Sequence, residues 1–202
     1  MKKAIATLGH RKTKSIIKKV EKESRIPNHL HIDYIFKAIC NDSGLAPDIT
    51  LLSGCENLSD EERIKKWVNG FFDAYNTCHD RCLIKETQTI PDKALEVLLG
   101  AFYEWTNDEL QNAINAHRIA MSSENIIGYI LELFLAEKLK KYGWVMAWGN
   151  TVAHVDFCSK NGKMLQIKNR YNSENSSSRK VREKHKIDLW YRIKSSGEDN
   201  WA

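Results

Sequence analysis

The spacing of apolar residues changes at Gly143, and this change limits the folds that the chain can adopt. Before Gly143, apolar residues recur at helical spacing, as in Ile64, Trp67 and Phe71. After it come three short segments rich in β-branched and aromatic residues, with the sequences WVMAW, VAHVDFC and KMLQIKN. The sequence therefore predicts a mainly helical part followed by a small sheet.

Capping patterns predict the helices of the first part. Ser59 with Glu62 and Thr106 with Glu109 are capping boxes, in which two side chains satisfy free backbone N–H groups at a helix start. A basic helix or arm is predicted over residues 1–25. Further helices are expected over 31–40, from 59, from Pro91, over 106–120 and over 124–142, the last capped by Ser122 or Ser123.

The second part is predicted to be a three-strand meander, then a helix, then a strand. Asn161-Gly162 between two of the short segments is typical of a two-residue hairpin turn. A helix is expected to begin near Ser177 and to run through RKVREKHK, and the segment DLWYRI over 188–193 indicates one more strand.

Two basic ends flank an acidic middle. Residues 1–25 carry a formal charge of +7, residues 26–159 carry −8, and residues 160–194 carry +8. Clustered Lys and Arg gain free energy by displacing counterions from phosphates, which favours a nucleic-acid partner. Charge alone leaves open whether the ends, including segment 1–25, grip DNA or are only solvated.

Other general features favour a cytoplasmic protein that does not enter a membrane. Five cysteines at irregular spacing are typical of free thiols in a reducing compartment. No apolar stretch follows the N-terminal lysines, so no export signal is expected. The most apolar helix, around 126–139, carries two Glu and is expected to be too short to span a bilayer.

Three residues near the predicted hairpin have the chemistry of a phosphodiesterase site. Gln166 and Lys168 point to the same face of their strand because strand side chains alternate. A turn at Asn161-Gly162 would bring them close to Asp156 on the partner strand. A carboxylate can hold Mg²⁺, which polarises a phosphoryl oxygen, and an ammonium can orient the attacking water.

A second carboxylate is expected from the preceding helix. Glu132 lies within the apolar sequence GYILELFL, where a charged side chain needs a partner or a place at the solvated edge. Its position just before the meander favours a metal site. Glu124, two turns earlier on nearly the same face, is the second choice.

These residues resemble a known family. A helix with Glu, then strands carrying Asp and a (D/E/Q)-x-K pair, is similar to the PD-(D/E)xK nucleases. The sequence QIKNRYNSENSSSRKVR, preceded by VDF and followed by DLWYRIKSSGEDNW, more specifically resembles type II restriction endonucleases of the SinI kind. The resemblance covers roughly residues 115–202.

The resemblance implies an α/β fold, with a restriction-endonuclease-like mixed sheet flanked by helices and a mainly helical N-terminal lobe. It implies that Asp156, Glu132 and Gln166 hold Mg²⁺ and that Lys168 is the catalytic lysine. Two positions depart from the pattern: Val155 precedes Asp156 where Pro is usual, and Gln166 brings no charge. Gln166 therefore either assists as a neutral ligand or marks a non-cleaving site.

The segment after the lysine strand is predicted to face DNA. Ser, Asn and Arg side chains and helix N-termini bind phosphates and base edges, although Ser- and Asn-rich stretches are also common in plain linkers. The predicted DNA-binding residues are Asn169, Arg170, Asn172, Asn175, Ser176, Ser177, Ser178, Arg179 and Arg182.

By resemblance, the substrate is double-stranded DNA at a short, near-palindromic, GC-rich site such as GGWCC or CCNGG, cut to leave 5′-phosphates. Two-fold symmetric DNA implies a homodimer, and a methyltransferase protecting the same site is the expected genetic partner. Residues 121–202 are predicted to be the nuclease core, and residues 1–120 a lobe that grips DNA or dimerises. The alternatives are a repair or junction nuclease with the same centre and a DNA-binding protein without cleavage.

Two other patterns favour structural roles. Cys78, His79 and Cys82 have too few partners for a zinc site, because no second ligand pair follows. His154, two residues before Asp156, is expected to be a partly buried structural histidine rather than a ligand.

Overall fold

The structure, a computed structural model, describes residues 1–27, 29–47, 57–82, 93–170 and 176–201. The chain is mixed α/β, as predicted. The helices are α1 (Lys2–Glu23), α2 (Ile32–Asn41), α3 (Asp60–Asn76), α4 (Lys93–Tyr103), α5 (Asn107–Leu139) and α6 (Ser176–Lys184). The strands are β1 (Trp144–Met146), β2 (Phe157–Ser159), β3 (Met164–Arg170) and β4 (Asp188–Ile193). Short 3₁₀ helices cover Ser43–Leu45, Cys78–Cys82 and Lys140–Tyr142.

The four strands form one mixed sheet in the order β1-β2-β3-β4. The first three pair antiparallel, and β4 lies parallel to β3. A parallel neighbour needs a crossover connection, and α6 supplies it. The predicted order of meander, helix and strand is confirmed.

The hairpin between β2 and β3 is one residue longer than predicted. Ser159 donates its N–H to Lys163, so Lys160, Asn161 and Gly162 form a three-residue loop. Gly162 has φ +80° and lies next to Asn41 of α2, where a Cβ would come 2.7 Å from the Asn41 amide nitrogen. The left-handed residue at the end of such a loop is usually Gly, which is why the loop closes after position 162.

Contacts divide the chain into two compact units. One contains Met1–Cys78 with Glu132–Ala202, and the other contains His79–Leu131. The first unit therefore holds α1 to α3 and the whole sheet, and the second holds α4 and most of α5. The sequence analysis assigned residues 1–120 to a DNA-gripping or dimerising lobe and residues 121–202 to the nuclease core. That assignment of tasks stays a prediction.

The N-terminal helices belong to the core of the first unit. α1 packs along α3, and its residues Ile16, Ile17 and Val20 are buried, so segment 1–25 is packed and not a free arm. The helix is kinked at Gly9, which has φ +74°. The capping box of Ser59 and Glu62 is formed. Phe71 of α3 and Phe157 of β2 are fully buried.

The second capping box, at Thr106 and Glu109, also forms, but the helix boundary predicted near residue 120 was wrong. α5 continues through Ser122 and Ser123 to Leu139. Ser123 donates its hydroxyl to the Ile119 carbonyl four residues earlier, which keeps the serine inside a helix instead of capping a new one. The start predicted at Pro91 lies outside the described residues.

The merged helix also changes the expectation about membranes. The stretch Asn107–Tyr142 is, among the described residues, one helix long and apolar enough to cross a bilayer by length and composition. The prediction that the most apolar helix is too short to span a bilayer was therefore wrong. Length and composition give only weak evidence for a membrane span, because helices of water-soluble proteins meet the same criteria.

Gly149 allows α3 to approach the connection between β1 and β2. It has φ +67°, and a Cβ there would lie 3.1 Å from the Gly70 carbonyl oxygen of α3. We expect Gly149→Ala to lower the free energy of unfolding by about 1–2 kcal/mol, the cost of a left-handed non-glycine residue. Gly128→Ala, in open space within α5, should instead be neutral or stabilising. Urea titration of both variants measures this, and equal effects would contradict the assignment.

Candidate active site

Asp156 lies at the point where the chain enters β2. Its backbone N–H donates to the Leu165 carbonyl at 3.0 Å, and its own carbonyl accepts from Ala147 at 2.8 Å. The carboxylate oxygen Oδ2 accepts the backbone N–H of Ile167 on β3 at 2.6 Å. Asp156 was expected within a strand, but β2 begins one residue later. The contacts nevertheless tie Asp156 to both neighbouring strands.

The segment before Asp156 turns instead of extending, which explains the short β2. His154 has φ +63° and is exposed, so the prediction of a partly buried histidine was wrong. Thr151, Val152 and Val155 are buried. A left-handed residue cannot continue a strand, and the chain resumes its pairing only at Asp156.

Two long-range hydrogen bonds hold this turning segment. The indole N–H of Trp67 donates to the Thr151 carbonyl at 2.9 Å in a buried position. The Ala153 N–H donates to the Leu45 carbonyl at 2.9 Å. Trp67, one of the apolar residues that recur at helical spacing, is 4% exposed. Its hydrogen bond to the segment before Asp156 was not predicted, because no local pattern links residues 84 positions apart.

Gln166 and Lys168 lie on β3, on the same face by strand alternation. Gln166 pairs with Leu189 and Lys168 with Tyr191 of β4. Lys168 is exposed, Gln166 is half-buried and Ile167 between them is buried. The alternation expected from the sequence is therefore present.

Burial raises the pKa of Asp156 above its usual value, and the Ile167 N–H and the positive charge of Lys168 partly oppose this increase. Phe157 pairs with Leu165 in antiparallel register, so Asp156 comes opposite Gln166, and Lys168 lies two positions further along the same face of β3. The β2–β3 pair therefore brings Asp156, Gln166 and Lys168 to neighbouring positions of the sheet. Among the described residues, the second carboxylate oxygen of Asp156 has no hydrogen-bond donor.

The two helix acids differ in their surroundings. Glu132 is half-buried between the buried residues Leu131 and Leu135, and it falls in the same compact unit as the sheet. Glu124 is exposed and belongs to the other unit. Within the described parts of the chain, no three His, Cys, Asp or Glu side chains group closely enough to hold a metal.

The donor set near Asp156 still fits a hard dication in its chemistry. Mg²⁺ prefers oxygen ligands and usually takes one or two carboxylates together with water and substrate phosphates. Asp156 offers a carboxylate oxygen without a donor, and Gln166 offers an amide oxygen on the adjacent strand.

The residues predicted to bind DNA have varied environments. Asn169 accepts a hydrogen bond from Arg192 Nε at 2.8 Å through its amide oxygen. Arg170 is exposed at the end of β3. Arg179 pairs with Glu183 at 2.8 Å, one turn along α6, and Arg182 is half-buried.

The remaining predicted DNA-binding residues are only partly covered. Asn172 and Asn175 lie outside the described residues. Ser176, Ser177 and Ser178 form the first turn of α6, although their side chains are outside the described part. Arg192 was missed by the sequence analysis. It donates to Asn169 and also lies 3.4 Å from Asp199. Arg192 is the fifth residue of the segment DLWYRI, and the local sequence gives no sign of either contact.

A model of the SinI restriction endonuclease family matches residues 51–202, about three quarters of the chain. The chain belongs to this family. The resemblance noted for residues 115–202 is thereby confirmed, and the match extends it toward the N-terminus.

Two curated members of the family are similar to the chain. The type II restriction enzyme SinI of Salmonella infantis and the type II restriction enzyme Eco47I of Escherichia coli are each 40% identical to it over 119 residues. The aligned region is 56% of this chain and 52% of each relative, so the chain spans about half the length of the curated relatives it matches.

The raised pKa of Asp156 generates a prediction about stability. A carboxyl group whose pKa is higher in the folded state stabilises the fold at low pH, and this stabilisation is lost as pH rises above the unfolded value near 3.8. Asp156→Asn keeps an oxygen for the Ile167 N–H but removes the charge. We expect a higher free energy of unfolding than the wild type at about pH 7, and a smaller difference as the pH approaches 3.8.

Urea titration in EDTA across this pH range measures the effect. Asp73→Asn, at an exposed position of α3, is the control and should show no comparable pH-dependent gain. A less stable Asp156→Asn protein at neutral pH would mean that Ile167 and Lys168 stabilise the charged carboxylate more than burial penalises it.

Proposed function

We propose that the protein is a type II restriction endonuclease that hydrolyses phosphodiester bonds of double-stranded DNA, depends on Mg²⁺ and leaves 5′-phosphates. The observation that carries this proposal is the hydrogen bond from the Ile167 N–H to Asp156, which fixes the carboxylate beside the strand that bears Lys168, in a chain of the SinI family. A carboxylate and an ammonium beside one another are what a metal-assisted attack on phosphate requires. A protein that only binds DNA has no need for this pairing at a half-buried position.

Each residue has a proposed task. Asp156 and Glu132 would hold Mg²⁺ through carboxylate oxygens, and Gln166 would assist through its amide oxygen. The bound ion supplies charge neutralisation at the phosphoryl group and lowers the pKa of a water ligand. Lys168 would orient the attacking water and offset the negative charge that develops on phosphorus.

Gln166 makes the helix acid more important than it would be beside a second strand carboxylate. Replacing a carboxylate with an amide removes one negative charge from the ligand set, which weakens the attraction for a dication. Glu132 is the better candidate to compensate because it is half-buried in the same compact unit as Asp156. Glu124 is retained as the comparison.

The proposed substrate is a short, near-palindromic, GC-rich site of the GGWCC or CCNGG type. Asn169, Arg170 and the first turn of α6 follow Lys168 in the chain and would contact the bases and phosphates beside the cut. A homodimer would place one active site on each strand of a symmetric site. A cytoplasmic location and a methyltransferase acting on the same site would complete the system.

Digestion of a plasmid of known sequence, with and without Mg²⁺, tests the function. We expect discrete fragments whose ends map to one short symmetric sequence, and no cleavage in EDTA. Structure-dependent nicking would instead favour a repair or junction nuclease, and binding without scission would favour a DNA-binding protein. Either outcome would overturn the proposal.

Lys168→Ala is the matched variant for the same assay. It removes a group that acts mainly in the transition state, so cleavage should fall by roughly a hundredfold or more, while DNA binding stays within about tenfold. Lys160→Ala, in the loop between β2 and β3 and exposed, controls for the loss of one positive charge. Undiminished cleavage by Lys168→Ala would remove the proposed role.

Glu132→Gln and Glu124→Gln form a second matched pair, because both replace a Glu of α5 with its neutral isostere. If Glu132 is the helix ligand, its variant should need a much higher Mg²⁺ concentration for half-maximal cleavage, and the Glu124 variant should match the wild type. Titration of Mg²⁺ against cleavage rate distinguishes them. The reverse result would assign the ligand to Glu124, and two unaffected variants would exclude a helix acid.

A further inference from the structure

A cleft of about 560 Å³ opens beside the start of β3 and the end of α6. Lys163 comes directly before β3, five positions before Lys168, so the two residues are separated by roughly 16 Å along an extended strand. The cleft is therefore distinct from the candidate active site, although both lie on the same strand. The charged residues that line it are Asp42, Lys163, Lys184, His185, Lys186 and Asp188.

A fixed histidine lies in this cleft. His185 follows α6, and its side chain is 10% exposed. Its Nδ1 lies 2.6 Å from Asp42 Oδ2, and Asp42 Oδ1 accepts the Gly44 N–H at 2.9 Å. A Cβ at position 44 would come 2.7 Å from the His185 ring, so the absence of a side chain there makes room for the imidazole. The two carboxylate oxygens of Asp42 are thus both used to hold one ring orientation.

The second ring nitrogen of His185, Nε2, has no hydrogen-bond partner among the described residues. The Nδ1–H of the ring donates to Asp42, and Nε2 can donate to a phosphate oxygen when the ring carries its second proton as imidazolium. Nε2 is not among the fully buried polar atoms that lack a partner in the described residues, so it is open to the cleft. A ring that is fixed through Nδ1 and open at Nε2 offers a fixed contact point to a ligand in the cleft.

The charges around the ring favour an anion. Burial raises the pKa of Asp42. Hydrogen bonds from His185 and Gly44 and the nearby charges of His185 and Lys184 lower it by more than that, so the pKa lies below its usual value. Asp42 is therefore a carboxylate at neutral pH, committed to His185. Lys163, Lys184 and Lys186 are exposed, and Asp188 is the one other acid in the lining. The positive charges exceed the negative ones.

We propose that this cleft binds a backbone phosphate of DNA at a distance from the bond that is cut, through His185 Nε2 and the ammonium groups of Lys163, Lys184 and Lys186. This inference rests on the proposed function, because it requires that the chain bind DNA. Ammonium and imidazole N–H groups are usual donors to phosphate oxygens, and such contacts set the register of a protein on the duplex. The rigid strand β3 would hold this contact and Lys168 at a fixed spacing.

The lysines give the first test. Lys184→Ala/Lys186→Ala is compared with wild type for binding a fluorescent duplex in EDTA, over a series of salt concentrations. Each lost phosphate contact should make the slope of log affinity against log salt shallower by about 0.9. Lys65→Ala/Lys66→Ala on α3 removes the same charge outside the cleft and should keep the wild-type slope. Equal slopes for the cleft variant and wild type would overturn the proposal.

Two substitutions of His185 separate phosphate binding from a purely structural role. Asn can replace the Nδ1 contact to Asp42 but has nothing at Nε2, whereas Gln reaches the position of Nε2 but not that of Nδ1. We expect His185→Asn to keep the melting temperature near that of wild type and to lose part of the salt slope, and His185→Gln to lose stability and keep more of the slope. A wild-type salt slope for His185→Asn would assign His185 to structure alone and would overturn its part in the proposal.

Wild-type behaviour distinguishes the two levels of the argument. If the wild-type protein neither binds nor cuts any DNA, the proposed function fails, and the cleft proposal falls with it. If the wild type cuts a defined site, and the cleft variants bind DNA with the same salt slope as the wild type, the proposed function stands and only the cleft proposal fails.

Discussion

The burial of Asp156 is the constraint on which the rest of the site depends. A carboxylate withdrawn from water needs compensation, and the Ile167 N–H at 2.6 Å and the charge of Lys168 provide part of it. The remaining penalty shows as a raised pKa. A cation bound to this carboxylate, as proposed above, would relieve the residual cost.

The position of Asp156 is set by parts of the chain that carry no chemistry themselves. β2 is only three residues long, so the strand alone gives Asp156 little support. The preceding segment is held by Trp67 of α3 and by the Leu45 carbonyl, and Gly149 lets α3 approach closely. The helices before the sheet are therefore part of the framework of the site, which agrees with their place in the same compact unit.

Local patterns predicted the elements well, because their causes are local. Capping boxes at Ser59 and Thr106 formed, and the alternation of Gln166, Ile167 and Lys168 placed the strand face correctly. The failures came where tertiary packing decides. Nothing near Thr151 in the sequence indicates a bond to Trp67, and the pair of Asp42 and His185 is separated by 143 positions.

The charge of the strand residues bears on how metal and DNA would bind together. Asp156 and Lys168 have opposite charges and Gln166 has none, so the strand part of the site has little net attraction for a dication. Glu132 adds one negative charge, and the scissile phosphate would add another. We therefore expect Mg²⁺ to bind weakly to the free protein and more tightly when DNA is present. By linkage, Mg²⁺ must then strengthen DNA binding by the same factor. Because Gln166 brings no charge to the site, occupancy by the cation would depend on bound DNA.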